Sequence, residues 1–291
     1  MTKWGERVKS GFVWFLGLCL FLEPAFAEGQ QIDVNTPTAP AELPFKVHHG
    51  FLIVVEGQIG TLSKLKFILD TGTTRTLMDK RVARRLGIRG LPTALLAIRQ
   101  NAEVQSAIFS HVRFGPMQAT NIPLLIADLS SFTEYADGID GILGLDLLWD
   151  RRISIDFVSK KLSVSSVAMD DVQSFHQGKV FCPIVTAEIQ GHLVRLLVDT
   201  GMDGILLYHD RVPRLDTGNL KVAKVGHSLF VNRVMVQKIR VGTADLQHPK
   251  VLLFPTAPVG FPRNVDGMLG AGSLNARRLL LDFSQGTLTW Q

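Results

Sequence analysis

The chain has 291 residues, 46% of them hydrophobic and 20% charged, with a formal net charge of +5. That apolar content excludes a disordered chain, 26 Gly and 13 Pro exclude a collagen-like one, and two Cys exclude a disulfide-built scaffold. The length suits one large or two ordinary domains, and the modest charge permits an acidic partner without demanding one.

The first segment reads as an address. Lys3, Arg7 and Lys9 precede an apolar run from Gly11 to Leu22, and Ala25-Phe26-Ala27 then offers the small side chains of a cleavage site. This predicts a signal peptide over residues 1–27 and a bacterial periplasmic or secreted protein with no stable membrane insertion once the signal is cleaved. The run is too short to span a bilayer comfortably. Cys19 follows bulky Leu18 inside it, which argues against lipidation. Residues 28–44, with Pro37, Pro40 and Pro44, are expected to be an exposed lead-in, too short to suggest a pro-segment.

The elements that follow read mainly as short strands. Phe51–Gln58 is β-branched and apolar, and the segment leading into Asp70, apolar but for Lys66, reads as a buried strand. A helix is predicted over Asp79–Leu86, ended by Gly87. Ile153–Phe157 and Leu162–Val167, joined by Ser159-Lys160-Lys161, read as a hairpin. The polar stretch 168–178 is the expected connection between two lobes, 45–167 and 179–291. Strand signals resume at Lys179–Ile189, and Leu279–Phe283 with Thr287–Trp290 reads as a last hairpin. Cys182, beside Pro183, is expected to be buried rather than reactive.

The strongest signal is internal repetition. Leu-Lys-Phe-Ile-Leu-Asp70-Thr71-Gly72-Thr73 is answered by Val-Arg-Leu-Leu-Val-Asp199-Thr200-Gly201-Met202, with the aspartates 129 residues apart. Asp140-Gly-Ile-Leu-Gly144 returns as Asp266-Gly-Met-Leu-Gly270, and Arg151-Arg152-Ile-Ser-Ile-Asp156-Phe157 as Arg277-Arg278-Leu-Leu-Leu-Asp282-Phe283, both at an offset of 126. Three matches in one order define a tandem repeat of roughly 120 residues.

Two Asp-Thr-Gly tripeptides, each after an apolar run and each with a Gly-x-x-Gly segment downstream, resemble the aspartic peptidases, either retropepsin-like units in tandem or a small pepsin-like relative. The resemblance covers nearly all of residues 45–291. It implies an all-β fold of two pseudo-symmetric β-barrel lobes with the active site between them. It also implies an aspartic-type endopeptidase, a hydrolase in which Asp70 and Asp199 share one water. Two carboxylates so close cannot both ionise cheaply, so the pair holds one proton between them.

The resemblance further implies that Thr71 and Thr200 cross-link the two loops. Gly72 and Gly201 would let backbone amides approach the carboxylates, and Thr73 would bond the outer oxygen of Asp70. Met202 cannot do so for Asp199, which makes the dyad asymmetric. A flap is expected from residues 91–114, although no Gly falls between Gly90 and Gly115 and no Tyr is present there. In the second half Gly226 is the candidate tip.

The partner implied is a peptide or protein substrate, and a monomer suffices because both halves lie in one chain. The competing reading is a non-catalytic periplasmic binding or scaffold protein on a decayed peptidase fold. Arg81, Arg84, Arg85 and Arg89 read as the solvated face of a short helix. The recurring Arg-Arg pairs read as structural rather than as a nucleic-acid patch. His48-His49 stands without the spacing of a zinc site, and nothing calls for a metal or a cofactor.

Overall fold

The computed structural model describes residues 33–35, 41–93, 104–132, 138–148, 151–166, 183–216, 221–225, 229–235, 238–258, 261–283 and 285–291. The expected signal peptide, the 168–178 connection, Cys182 and the Gly226 tip lie outside them. Among the described residues no helix is long and apolar enough to cross a membrane.

Each half is built on the same local plan. In the first, Leu52–Ile59 and Leu62–Leu69 pair antiparallel. Lys64 and Lys66 point outward while Leu65 and Phe67 point in, until Phe67, Ile68 and Leu69 are all buried. The strand thus becomes two-sided just before Asp70, which explains why its sequence stops alternating there. The chain turns through Asp70-Thr71-Gly72 and returns as Leu77–Asp79. Gly141–Leu143 slots between these two segments, parallel to Leu62–Leu69 and antiparallel to Leu77–Asp79. In the second half His192–Asp199, Ile205–Tyr208 and Gly267–Gly270 repeat the arrangement, with Asp199 opposite Gly270.

The predicted helix is present as Lys80–Arg85, with Asp79 as its N-cap accepting from the Arg81 amide. Leu86 caps its other end, and Gly87 follows at a φ of 68°. Arg81 folds back onto the Asp79 carboxylate at 2.7 Å, whereas Arg84, Arg85 and Arg89 are exposed. The corresponding stretch of the second half, after Tyr208, forms a turn with no regular helix. Pro213 there stands where the first half has Arg84, and proline cannot donate in a helical turn.

The lead-in differs from expectation. Asp33–Asn35 pairs antiparallel with Met117–Thr120, and Ala41–His48 is a full strand paired to Leu52–Ile59 and to Lys161–Ser166. The reason lies in its own period of two: Leu43 and Phe45 are buried while Glu42, Pro44 and Lys46 face out. Pro44 is tolerated because it has no N–H to place, and the next amide, Phe45, bonds Lys160 O at 3.1 Å.

The two halves are sewn together by their last hairpins. Arg151–Asp156 pairs with Lys161–Ser166 on one side and with Arg278–Asp282 on the other, and Arg278–Asp282 pairs in turn with Thr287–Trp290. Ile153, Ile155, Leu279 and Leu281 face the core from this shared sheet. The third repeated motif finds its explanation here. Arg152 Nε donates to Asp282 at 2.8 Å, and Arg278 Nε donates to Asp156 at 2.9 Å, so each half's arginine pairs with the other half's aspartate.

Candidate active site

Asp70 and Asp199 come together at the junction of the halves, both fully buried. Each lies in a tight turn whose glycine amide bonds back to its own carboxylate. Gly72 N donates to Asp70 Oδ1 at 2.8 Å, and Gly201 N donates to Asp199 Oδ1 at 2.7 Å. A Cβ added at Gly72 would lie 2.6 Å from Asp199 Oδ2, and one added at Gly201 would lie 2.9 Å from Asp70 Oδ2. Only glycine lets each loop pack against the opposite carboxyl.

The threonines lock the loops to each other. Thr71 Oγ1 donates to Val198 O at 2.7 Å, and Thr200 Oγ1 donates to Leu69 O at 2.9 Å. Each hydroxyl also accepts the other threonine's amide at 3.1 Å. Four hydrogen bonds across the pseudo-twofold axis thus fix the carboxyl groups relative to one another, out of contact with water. Thr73 Oγ1 donates to Asp70 Oδ2 at 3.3 Å. Met202 is buried in the core and offers Asp199 no donor.

Burial raises both acids. It lifts Asp70 to about 6, against opposing hydrogen bonds from Asp199, Gly72 and Thr73. It lifts Asp199 well above the usual carboxylate range, and the neighbouring Asp70 charge pushes it in the same direction. The pair therefore retains a proton where a solvated aspartate would not.

The Asp-Gly motifs carry more of the architecture than their glycines. Lys66 N donates to Asp140 Oδ2 at 3.0 Å and Arg195 N to Asp266 Oδ2 at 2.7 Å, so each aspartate clamps the strand that leads to a catalytic-type loop. Asp146 was not singled out by sequence reasoning. Its buried carboxylate accepts from Thr76 N at 2.9 Å and Thr76 Oγ1 at 2.6 Å, holding the first loop from behind. The repeat offers no signal for it, because Gly272 stands at the matching position of the second half.

Within the stretch 91–114, where a flap is expected, Leu91–Thr93 pairs antiparallel with Val104–Phe109, and the connection lies outside the described residues. Its counterpart is the pair Lys221–Val225 and Leu229–Met235. His48-His49 lies in a strand end and turn. Among the described residues no group of three or more His, Cys, Asp or Glu is placed to hold a metal ion.

Two β lobes that each contribute one Asp-Thr-Gly loop to a shared pair of buried carboxyls have the architecture of an aspartic-protease fold. The chain belongs to the aspartyl protease family, whose model matches residues 55–147 and again 185–272. Among solved structures, a retropepsin-like aspartic protease from Rickettsia conorii aligns at 20% identity over 46% of this chain and 92% of that one, with a TM-score of 0.32. A search of curated proteins finds no match.

Proposed function

We propose that the protein is an aspartic endopeptidase, exported to the periplasm or the medium, that cleaves peptide bonds with the Asp70/Asp199 pair in a monomer. The observation that carries this reading is the apposition of two buried carboxyl groups, held by four reciprocal threonine bonds and by one glycine amide each. Burying two acids side by side costs stability, a cost typical of functional sites, and a proton-sharing pair is suited to general acid–base work.

In the reaction, the ionised carboxylate takes a proton from a water whose oxygen attacks the peptide carbonyl carbon. The protonated partner gives its proton to the carbonyl oxygen, and a gem-diol forms without a covalent enzyme intermediate. The carboxyl that gained a proton then delivers it to the amide nitrogen as the C–N bond breaks. Its partner recovers a proton from the diol as the new carboxylic acid forms. Both carboxyls are shut from solvent in this conformation, so water and peptide reach them only when the surrounding segments part.

Turnover of a diverse fluorogenic peptide library tests the reading. Cleavage that vanishes in Asp70→Asn and in Asp199→Asn supports it. Cleavage that survives either substitution contradicts it, and peptide binding without turnover favours the binding protein instead.

A further inference from the structure

The two Asp-Thr-Gly loops are backed by different means. Behind the first, the Asp146 carboxylate accepts from Thr76 N at 2.9 Å and Thr76 Oγ1 at 2.6 Å, and the Asp146 amide donates to Thr74 O at 3.2 Å. Behind the second, the matching residue is Gly272. Its amide donates to Met202 O at 3.2 Å, but it has no side chain to add a further hold.

The place of that side chain is taken by the other half. A Cβ at Gly272 would lie 2.7 Å from Phe51 Cβ, 3.0 Å from Phe51 Cγ and 3.2 Å from the Cα of Asp203. Phe51, between the strands Ala41–His48 and Leu52–Ile59, is buried in a first-half cluster with Leu52, Val54, Ile68 and Leu77. Anchored in one half, it meets the other at Gly272, beside the stretch that follows Asp199. Gly272 does not adopt a left-handed backbone, so glycine stands there for close packing and not for conformation.

We propose that Phe51 is a positioning residue for the second loop: its side chain wedges against Gly272, holds Met202 and Asp203 in place, and through them fixes Asp199 relative to the first half. Its effect on turnover rests on the peptidase reading, whereas its effect on the loop does not. The threonine bonds tie the loops together one residue beyond each aspartate, and the far side of each loop needs its own support. Asp146 gives that support in the first half, and Phe51 against Gly272 gives it in the second. The Asp203 carboxylate is also tied to Lys250 Nζ at 2.6 Å, so removing the ring frees the loop on one side only. Catalytic geometry tolerates little of this, since a shift of about 1 Å can cost about a hundredfold in rate.

Amide hydrogen exchange of the full chain, read by NMR, tests the placement without turnover. In Phe51→Ala the Gly201 amide, which bonds Asp199 Oδ1, is expected to exchange at least about tenfold faster, and the Gly72 amide of the first loop to change less. Phe51→Leu is expected to restore most of the protection. Equal acceleration at both glycines, as a general loss of stability would give, or no change at Gly201, overturns the proposal. Urea unfolding of Phe51→Ala, Gly272→Ala and the double variant checks the contact itself. The added methyl of Gly272→Ala should cost stability beside the ring and little in the Phe51→Ala background, and additive effects overturn it.

If Phe51→Ala does not fold, Gly272→Ala decides, because its methyl pushes the ring off the loop and should speed exchange at Gly201 ahead of Gly72. In turnover, Phe51→Ala is expected to lower kcat at least about tenfold with KM nearly unchanged. Unchanged kcat in that variant, folded and beside an active wild type, overturns the proposal. A wild type that cleaves nothing, with Gly201 exchange that follows Phe51, sinks the peptidase reading and leaves the role of Phe51 standing. An active wild type whose Gly201 protection ignores Phe51 does the reverse.

Discussion

At the scale of single residues, the energetics centre on the buried pair. Asp70 is lifted to about 6 and Asp199 is lifted further, chiefly by burial. In the unfolded chain both would release their protons near pH 4. The folded state therefore binds more protons than the unfolded state above that pH, and stability falls as pH rises through about 4 to 6 and beyond. Asn at position 199 is uncharged at every pH and removes that cost. Asp199→Asn is expected to melt several degrees higher than wild type at pH 7, with the difference shrinking toward pH 4. Equal melting temperatures at both pH values would show that the pair carries no such strain. The threonines give the opposite sign. Thr71→Val or Thr200→Val leaves a buried carbonyl and amide without a partner and is expected to cost about 1–3 kcal/mol, read by urea unfolding.

At the scale of elements, the strand–loop–strand unit around each aspartate depends on close backbone approach. A Cβ at Gly267 would lie 2.0 Å from Leu206 O, and one at Gly141 would lie 2.1 Å from a ring carbon of Phe67. Gly267→Ala meets rigid backbone and is expected to cost more than about 2 kcal/mol, checked by chemical denaturation beside wild type. Much of this unit was legible in the sequence, because its markers recur: the apolar run, Asp-Thr-Gly, and Asp-Gly-x-Leu-Gly.

What was not legible had no copy to point at it. Asp146 holds the first loop through Thr76, but Gly272 replaces it in the second half, so repetition gave no signal. The strand Ala41–His48 was hidden by Pro44, which punctuates a sequence whose alternating Leu43 and Phe45 carry the strand pattern. The helix Lys80–Arg85 was readable from Asp79 and Gly87, which supply its cap and its stop.

At the scale of the whole molecule, the halves are joined by the threonine lattice under the carboxyls and by the shared sheet made by the two last hairpins. The sheet's outward side carries the reciprocal Arg152–Asp282 and Arg278–Asp156 pairs, and its inward side carries Ile153, Ile155, Leu279 and Leu281. Apolar burial is the larger contribution. The Arg152–Asp282 pair, half exposed on the arginine side, is expected to show a coupling of about 0.2–1 kcal/mol in a double-mutant cycle, weakening with salt. No coupling at low salt would leave the repeated motif without an energetic role.

Because both loops come from one chain and are locked across the axis, activity should be independent of protein concentration. It should also fall as pH drops through about 6, where the pair takes up its second proton and no ionised carboxylate is left to act as base. The measurement that tests the central claim most directly is cleavage of a fluorogenic peptide library at near-neutral pH by wild type, Asp70→Asn and Asp199→Asn, all verified as folded. The account predicts turnover in wild type and none in either variant. Undiminished turnover in either one would show that the paired aspartates are not the catalytic centre.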